Sequence, residues 1–267
     1  MTPLSVHNSR VKQARRLSRR SERSERRLFL VDGPQGVEGA LGRPGCVVEV
    51  FATPEAAERY ADLLGAAPEV TLVDDRALAS LSDTVAPPGL VAMCRVLDRP
   101  LVDVLDGAGG APRLVAVCVE IRDPGNAGTV VRTADAAGAD AVVLAGDAVD
   151  LHNPKTLRAS AGSAFHLPVA LERDPEAAVA TLRGAGLQVL ATVGDGEVDL
   201  EDPGPGLLER PTAWLFGNEA HGLSDAVAGS ADHRVRIPIH GRAESLNLAT
   251  AAALCLYASA RAQRAPR

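Results

Sequence analysis

Residues 114–121 (LVAVCVEI) restrict the fold of this chain most, because seven of these eight side chains are apolar. A continuous apolar run of this length is typical of a strand that is buried on both faces of a parallel sheet. A turn rich in proline and glycine follows, and residues 126–137 place apolar side chains on one helical stripe that ends at Gly138. Further strands are predicted at 141–145, 188–193, 213–216 and 235–239, and further helices at 154–164, 177–184 and 247–261. The sequence therefore predicts an α/β fold in which helices cover both faces of a parallel sheet.

A second, smaller α/β unit is predicted ahead of this sheet. Residues 28–31, 46–51, 70–73 and 90–96 are apolar runs typical of strands, and Pro54 begins a helical pattern that extends to residue 64. Residues 107–113 (GAGGAPR) have the composition of a linker. We therefore predict an amino-terminal domain at 1–106, a linker at 107–113 and a carboxyl-terminal domain at 114–267.

The charge of the chain is unevenly distributed. The net charge is -6, yet residues 1–30 hold nine Arg and Lys against two acidic residues, which gives this segment +7 and the remainder -13. A basic arm on an acidic body is typical of proteins that bind nucleic acid or another acidic surface. Residues 8–27 are predicted to form a basic helix. The candidate RNA-binding residues are those of this helix together with two cations of the 154–164 helix: Arg10, Lys12, Arg15, Arg16, Arg19, Arg20, Lys155 and Arg158.

Several classes of protein are disfavoured by the sequence. The four cysteines have neither CxxC spacing nor a nearby histidine at metal-ligand spacing, so we expect buried free thiols and no metal site. The amino terminus lacks the apolar segment of a secretory signal, and no run of about 20 apolar residues is present. We therefore expect a cytoplasmic protein that does not associate with membranes.

Three segments at predicted strand ends carry polar residues that could bind a ligand or take part in a reaction: residues 122–132 (RDPGNAGTVVR), 217–224 (GNEAHGLS) and 237–247 (IPIHGRAESLN). Ligands of parallel α/β folds bind at the carboxyl ends of strands, and glycine at such an end allows a close approach of backbone to ligand. Each segment also has an ordinary interpretation. Asn126, Ser245 and Asn247 are all suited to helix capping, and an isolated arginine such as Arg132 is often only a solvated side chain. Ser245 lacks the GxSxG pattern of a hydrolase nucleophile.

Taken together, these segments resemble the SpoU (TrmH-like) branch of the SPOUT RNA methyltransferases. The branch pattern has Asn and Arg six residues apart after the first strand, as Asn126 and Arg132 are here. It continues with Gly-Asn-Glu-x-x-Gly-Leu-Ser, matched at 217–224, and Ile-Pro-x-x-Gly-x-x-x-Ser-Leu-Asn, matched at 237–247. The run RASAG at 158–162 is also similar to this branch. The amino-terminal unit resembles the small ribosomal-protein-like RNA-binding domain often attached to it, through the basic helix and residues 29–33 (FLVDG).

This resemblance implies a SPOUT domain with a deep carboxyl-terminal trefoil knot, S-adenosylmethionine as cofactor and methyl transfer to a ribose 2′-hydroxyl of RNA. The cofactor-binding residues that it implies are Thr192, Gly217, Asn218, Ile237, Ile239, Leu246 and Asn247. The catalytic residues that it implies are Arg132, Asn126, Glu219, Ser245 and Asn247. Arginine stays protonated at ordinary pH, so we expect Arg132 to stabilise a developing alkoxide rather than to act as a base.

The terminal helix predicts a homodimer. Its residues 248–258 (LATAAALCLYA) leave almost no polar face, and a helix that is apolar all round must be buried on every side. A two-fold partner would cover the side that faces away from the sheet. Within the resemblance, this pairing brings Asn126 and Arg132 of one chain to the cofactor of the other.

Other functions remain open at this point. Ribosomal RNA, with 23S rRNA favoured, is expected over tRNA, and a thiostrepton-type antibiotic-resistance methyltransferase shares the same motifs. A non-catalytic RNA- or ribosome-binding protein is the alternative from a different class. A Rossmann-type methyltransferase is the nearest rival enzyme, but the loop after the first strand holds only Gly125 and Gly128 rather than a glycine-rich fingerprint.

Overall fold

The computed structural model describes residues 2–107 and 110–264, which fold into two compact units. Unit 1 comprises the described residues up to Leu97 together with Asp150–His166, and unit 2 comprises the other described residues. Up to Leu97 the elements are α1 (Ser9–Arg15), a 3-10 helix (Arg16–Ser18), α2 (Arg20–Arg26), β1 (Leu28–Asp32), α3 (Pro34–Leu41), β2 (Val47–Ala52), α4 (Pro54–Arg59), α5 (Ala61–Leu64), β3 (Val70–Leu72), α6 (Asp75–Leu81) and β4 (Leu90–Arg95).

The remaining elements extend from Leu101 to the end of the described chain. They are α7 (Leu101–Asp106), β5 (Leu114–Val119), α8 (Pro124–Ala137), β6 (Ala141–Ala145), α9 (Pro154–Ser160), α10 (Ser163–His166), β7 (Val169–Glu172), α11 (Pro175–Gly184), β8 (Gln188–Thr192), β9 (Val198–Asp199), β10 (Thr212–Phe216), α12 (Asp225–Gly229), β11 (His233–Arg236) and α13 (Leu248–Arg264).

Unit 1 is built on a small mixed sheet with the strand order β1-β4-β2-β3. Strand β4 runs antiparallel to both β1 and β2, whereas β2 and β3 are parallel. Helices α1 and α6 pack together over one side of a core that includes Val11, Ala14, Phe51 and Leu78. The predicted amino-terminal α/β unit is therefore confirmed, with four of its strands where the apolar runs placed them.

The predicted basic helix at 8–27 is not continuous. The 3-10 helix that continues α1 ends at Ser18, Arg19 is extended, and α2 begins at the next residue. The break is stabilised by Arg23, whose Nη1 donates to the carbonyl oxygens of Leu17 and Ser18 at 2.9 and 2.8 Å. These carbonyls would otherwise lack partners at a helix end. The pattern of apolar residues could not reveal this break, because Val11, Ala14 and Leu17 keep helical spacing up to it.

Arg23 also belongs to a buried polar cluster that joins Asp150–His166 to the rest of unit 1. Its Nε and Nη2 donate to Asp150 Oδ2 at 2.8 and 2.6 Å. His152 Nε2 accepts from Leu97 N at 2.9 Å, and the imidazole packs 4.6 Å from the ring of Phe29. Burial opposes ionisation of Asp150, but hydrogen bonds from His152 and Arg23 hold the pKa of this carboxyl well below its usual value. The cluster therefore fixes the start of α9 within unit 1.

The helix predicted at 154–164 is divided into α9 and α10. The chain turns at Ala161 and Gly162, which have φ values of 49° and 93°. Such left-handed conformations end a helix, and alanine adopts them only under local constraint. The helix predicted at 54–64 is likewise interrupted, at Tyr60.

Unit 2 contains the predicted parallel sheet. Its strand order is β7-β6-β5-β10-β8-β11-β9, and neighbouring strands pair in parallel throughout. Strands β5, β6 and β10 are buried along their whole length, as their continuous apolar runs predict. Helices α8 and α13 pack against each other, and α13 is fixed by a hydrogen bond of 2.9 Å from Trp214 Nε1 to Ser259 Oγ. The predicted α/β fold is confirmed, whereas the trefoil knot remains a prediction.

The predicted domain ranges also remain a prediction, and the compact units differ from them in two places. Residues 98–106 belong to unit 2, because Leu101, Val104 and Leu105 of α7 pack into the core of its sheet. Residues 150–166 belong to unit 1 through the Arg23 cluster. Residues 108 and 109 of the predicted linker lie outside the described residues.

Three expectations about composition can be compared with the structure. All four cysteines are buried free thiols, as predicted. Among the residues that the structure describes, no His, Cys, Asp and Glu side chains form a group of three suited to a metal ion. No helix within the described ranges is long and apolar enough to cross a membrane.

Candidate active site

Glu219 connects two of the three motif segments in unit 2. Its carboxylate accepts hydrogen bonds from Arg122 N at 3.2 Å, Asp123 N at 3.2 Å and Asn126 Nδ2 at 3.1 Å. Burial opposes ionisation of this carboxyl, but the hydrogen bonds from Asn126 and the backbone lower its pKa below the usual value. Glu219 is therefore an ionised acceptor whose contacts hold the turn after β5 against the segment after β10.

Asn126 extends this chain of contacts to the third segment. Its Oδ1 accepts a hydrogen bond from Asn247 Nδ2 at 3.0 Å. Asn247 Oδ1 in turn accepts from Ala249 N at 2.9 Å and Thr250 N at 3.3 Å, so this residue caps α13. Because Asn126 donates to a carboxylate and accepts from an amide, both of its side-chain atoms are assigned by their partners. We call the side chains of Glu219, Asn126 and Asn247 the polar relay.

The sequence offered Asn126 as a possible cap of α8, but the structure gives this role to another residue. Asp123 is the N-cap, because its Oδ1 accepts from Asn126 N at 2.7 Å. The side chain of Asn126 is therefore free of a capping role and available to the polar relay. Asp123 was not among the predicted site residues, although Asp before Pro and Gly is a recognisable helix start.

The turn after β10 depends on a close approach of two glycines. A Cβ atom at Gly217 would lie 2.2 Å from the carbonyl carbon of Gly222, so no other residue fits there without movement. Asn218 and Gly222 exchange backbone hydrogen bonds of 2.9 Å across this turn. Asn218 Nδ2 also donates to Glu120 O at 2.8 Å. The turn is thus anchored to the end of β5.

Glu120 is a residue that the sequence analysis missed. It follows β5 directly and has a φ of 52°, which is uncommon for a residue with a side chain. Strained backbone of this kind often occurs at functional sites. Here it presents the carbonyl oxygen that Asn218 binds. A single sequence carries no signal for it, because glutamate at a strand end is unremarkable.

The predicted cofactor-binding residues lie around the carboxyl ends of β8, β10 and β11. Thr192 ends β8, and its Oγ1 lies 3.8 Å from Cys255 Sγ of α13. Ile237 and Ile239 follow β11, which ends at Arg236 and is therefore shorter than the predicted strand at 235–239. Ile239 and Leu246 are 38% and 36% exposed, so apolar surface is left accessible next to this sheet edge.

Arg132 and Ser245 are not part of the polar relay. Arg132 lies on the exposed side of α8, and neither side chain makes a hydrogen bond or ion pair with the described residues of the chain. The helix turns by about 600° over the six residues from Asn126 to Arg132, so the two side chains point about 120° apart around its axis. A single chain therefore brings three of the five predicted catalytic residues into contact and leaves Arg132 and Ser245 outside that group.

The predicted RNA-binding cations of unit 1 divide into two groups. Arg10 pairs with Glu49 at 2.9 Å and with Glu69 at 2.5 Å, and Arg16 pairs with Glu22. Arg158 of α9 lies 3.3 Å from Asp83, and Arg20 also interacts with neighbouring groups. By contrast, the exposed side chains of four residues have no partner among the described residues: Lys12, Arg15, Arg19 and Lys155.

Both units match protein families. Residues 113–257 match the SpoU rRNA Methylase family, and residues 8–92 match the MRM3-like substrate binding domain. The chain is 34% identical over 254 residues to the 23S rRNA (guanosine(2553)-2'-O)-methyltransferase RlmP of Bacillus subtilis, covering 95% of this chain and 96% of that one.

Solved structures show the same similarity over the whole chain. The AdoMet-bound rRNA methyltransferase from Sinorhizobium meliloti superposes with a TM-score of 0.85 and 31% identity over 99% of both chains. The SpoU methyltransferase AviRb from Streptomyces viridochromogenes, in complex with the cofactor AdoMet, superposes with a TM-score of 0.86 and 30% identity. That match covers 98% of this chain and all of the other.

Proposed function

The chain belongs to the SpoU rRNA methylase family, and from this premise we propose how it acts. It is an S-adenosylmethionine-dependent methyltransferase whose acceptor is a ribose 2′-hydroxyl of RNA, and we propose 23S rRNA as its substrate. The observation that carries this proposal is the polar relay, because Glu219, Asn126 and Asn247 join all three family motifs through side-chain contacts. The similarity to RlmP, a 23S rRNA methyltransferase, and the match of residues 8–92 to a substrate-binding domain support the RNA target.

The residues at the carboxyl edge of the sheet fit S-adenosylmethionine. We propose that Thr192, Gly217, Asn218, Ile237, Ile239, Leu246 and Asn247 hold it. Ile239 and Leu246 offer exposed apolar surface for an adenine ring. Gly217 has no side chain, so a ligand can approach the backbone closely there. When bound, the cofactor supplies a methyl group on a sulfonium centre.

The protein residues then have separate tasks. The ribose hydroxyl is a poor nucleophile that must lose its proton as the methyl group is transferred. Arg132 stays protonated and would stabilise the developing alkoxide or a neighbouring phosphate. Glu219 binds Asn126 and two backbone N–H groups, and Asn126 uses both of its side-chain contacts inside the relay, so we propose that these residues position the acceptor site. Ser245 is exposed and would contact the substrate directly.

We propose that the active site forms in a homodimer. Leu254 and Tyr257 of α13 are 45% and 52% exposed, although Cys255 and Leu256 between them are buried. They line a cavity of about 880 Å³ together with Leu200 and Ile237. Exposed large apolar side chains on one helix face favour a partner surface. A second copy would cover them and supply the Arg132 that one chain does not bring to its own relay.

The basic surface of unit 1 is proposed to bind the RNA backbone. Lys12 and Arg15 are exposed on α1, away from buried Val11 and Ala14, and Arg19 is exposed at the break that follows. Because no carboxylate neutralises them within the described chain, they are the cations most available to phosphates. The paired residues Arg10, Arg16 and Arg158 are expected to contribute less. A ribosomal RNA substrate also supports the cytoplasmic location expected from the sequence.

We also propose the trefoil knot. Its support is the position of α13, which follows all the strands yet packs against α8 at the start of the sheet. A chain fixed in this way brings the Asn247 cap next to Asn126.

Titration calorimetry distinguishes the enzyme from a non-catalytic RNA-binding protein. The full chain should bind S-adenosylmethionine with micromolar or tighter affinity and should methylate 23S rRNA transcripts. A folded chain that binds RNA but releases no heat with S-adenosylmethionine would favour the non-catalytic alternative.

A further inference from the structure

The backbone of Gly196 packs directly against the backbone of β11. A Cβ atom at this position would lie 2.6 Å from Arg236 N, 2.6 Å from Val235 C and 2.8 Å from Arg234 O. All three neighbours are backbone atoms, so no side chain can rotate away to make room. Gly194, two residues earlier, has nothing within 4 Å of its Cβ position. Neither glycine has a positive φ, so the two differ in available space rather than in backbone conformation.

The segment that contains Gly196 is joined to β11 along its whole length. At one end Val193 N donates to Val235 O at 3.0 Å, and at the other Leu200 N donates to Arg236 O at 3.0 Å. Between them, β9 pairs with β11 in parallel. Glu197 Oε1 accepts from Arg234 N at 2.9 Å, and its Oε2 accepts from Arg234 Nε at 3.1 Å. We call residues 193–200 the strap.

The strap connects two parts of the proposed cofactor site. Thr192 precedes it directly, and Ile237 follows directly after the end of β11. Strand β8 pairs directly with β11, with Thr192 opposite Val235, so this pairing fixes Thr192. The separation of the strap from Val235 and Arg236 determines where the next residue, Ile237, lies. At its closest point this separation is set by a residue without a side chain.

We propose that Gly196 is a positioning residue for the S-adenosylmethionine site. By allowing backbone to lie directly on backbone, it keeps the strap against Val235 and Arg236 and so holds Ile237, the next residue, where the cofactor requires it. This inference rests on the proposed function for the location of the cofactor. Gly196 makes no cofactor contact in this account and acts only through these neighbours.

The test compares Gly196→Ala with Gly194→Ala in the full-length protein. The added methyl group at 196 must separate the strap from β11, so affinity for S-adenosylmethionine should fall by about tenfold or more. The KM for S-adenosylmethionine should rise by a similar factor, whereas kcat at saturating cofactor and the affinity for RNA should change by less than about threefold. Gly194→Ala adds the same methyl group in open space and should behave as wild type.

A purely structural role would give a different result. In that case Gly196→Ala would lower the midpoint of urea unfolding, while the folded protein would bind the cofactor with normal affinity, and the proposal would be wrong. Equal losses in Gly196→Ala and Gly194→Ala would also overturn it. Failure of the wild-type chain to bind S-adenosylmethionine would instead reject the proposed function.

A second variant keeps the test decisive if Gly196→Ala does not fold. Glu197→Ala removes both hydrogen bonds to Arg234 without adding bulk, and the pair is exposed enough for folding to tolerate its loss. Its KM for S-adenosylmethionine should rise by about two- to fivefold with little change in kcat. An unchanged KM in this variant would contradict the proposal.

Discussion

Asn126 Oδ1 accepts a hydrogen bond of 3.0 Å from Asn247 Nδ2, although 121 residues separate the two side chains in the sequence. Asn126 also donates to Glu219 at 3.1 Å, so its single side chain holds two other motifs in place. The polar relay requires the Nδ2 of Asn126 to face Glu219 and its Oδ1 to face Asn247. This requirement leads to the first prediction.

Asn126→Asp should reduce methyl transfer while leaving the fold intact. The new carboxylate would still accept from Asn247, but it would face the Glu219 carboxylate where an amide donor now lies. Repulsion would displace the relay, and misplacement by about 1 Å costs on the order of 100-fold in rate. Initial rates at saturating S-adenosylmethionine and RNA measure this, with urea unfolding as the check on folding. A rate within about threefold of wild type would show that the relay does not position the acceptor.

Glu219 should make the free energy of unfolding depend on pH. Its pKa is lower in the folded protein than the ordinary value of 4.5, because hydrogen bonds from Asn126 and the backbone outweigh its burial. A carboxyl with a lowered pKa stabilises the folded state fully above the ordinary value and loses this contribution as the pH falls through the lower one. The free energy of unfolding should therefore fall more steeply below about pH 4.5 in wild type than in Glu219→Gln. Glu244→Gln, which alters an exposed glutamate outside the relay, is the control and should follow wild type.

Arg132→Ala should abolish methyl transfer and leave S-adenosylmethionine binding intact, because Arg132 is proposed to contact the acceptor ribose or its phosphate rather than the cofactor. Arg132→Lys keeps a positive charge but loses the planar fork of donors, so it should retain only part of the activity. Single-turnover assays and calorimetry measure the two properties separately. Near-normal turnover of Arg132→Ala would remove this residue from the site.

Mixed dimers test whether the site is shared. Arg132→Ala and Leu246→Asp should each be inactive alone, the first in the acceptor half and the second in the proposed cofactor half. If each site combines Arg132 of one chain with the cofactor of the other, random mixing should restore about one quarter of wild-type activity, because half of the dimers contain one intact site. Sites confined to single chains would give no recovery. Light scattering on the fully active protein provides the oligomeric state.

The free cations of unit 1 should carry the salt dependence of RNA binding. Replacing Lys12, Arg15 and Arg19 by Gln should reduce the slope of log affinity against log salt by about 0.7 to 0.9 per lost phosphate contact. The matched control replaces Arg10, Arg16 and Arg158, which already pair with carboxylates and should contribute less. Filter binding over a range of salt concentrations measures both slopes. Equal reductions of the slope in the two triple variants would contradict the prediction, because paired and unpaired cations would then contribute equally to RNA binding.

The sequence predicted the strands that consist of continuous apolar runs. Strands β5, β6 and β10 lie within two residues of their predicted bounds, because strands buried on both faces need continuous apolar side chains. The meeting of Asn126, Glu219 and Asn247 followed from the family motifs only in outline. No periodicity encodes which amide atom faces which partner.

Other features depend on tertiary contacts that no local pattern reveals. The break at Arg19 depends on Arg23, and the assignment of Asp150 to unit 1 depends on the same side chain. Gly194 and Gly196 are equivalent turn signals in the sequence. Only the position of β11 distinguishes them, since it crowds one glycine and leaves the other in open space.

Mapping ribose methylation across total rRNA in a deletion strain tests most directly whether this chain methylates a ribose of 23S rRNA. We expect a 2′-O-methyl group to disappear from 23S rRNA in the deletion strain. It should return when the wild-type chain is expressed, and it should stay absent when Arg132→Ala is expressed at the same level. An unchanged methylation pattern in 23S rRNA, or full restoration by Arg132→Ala, would contradict the account.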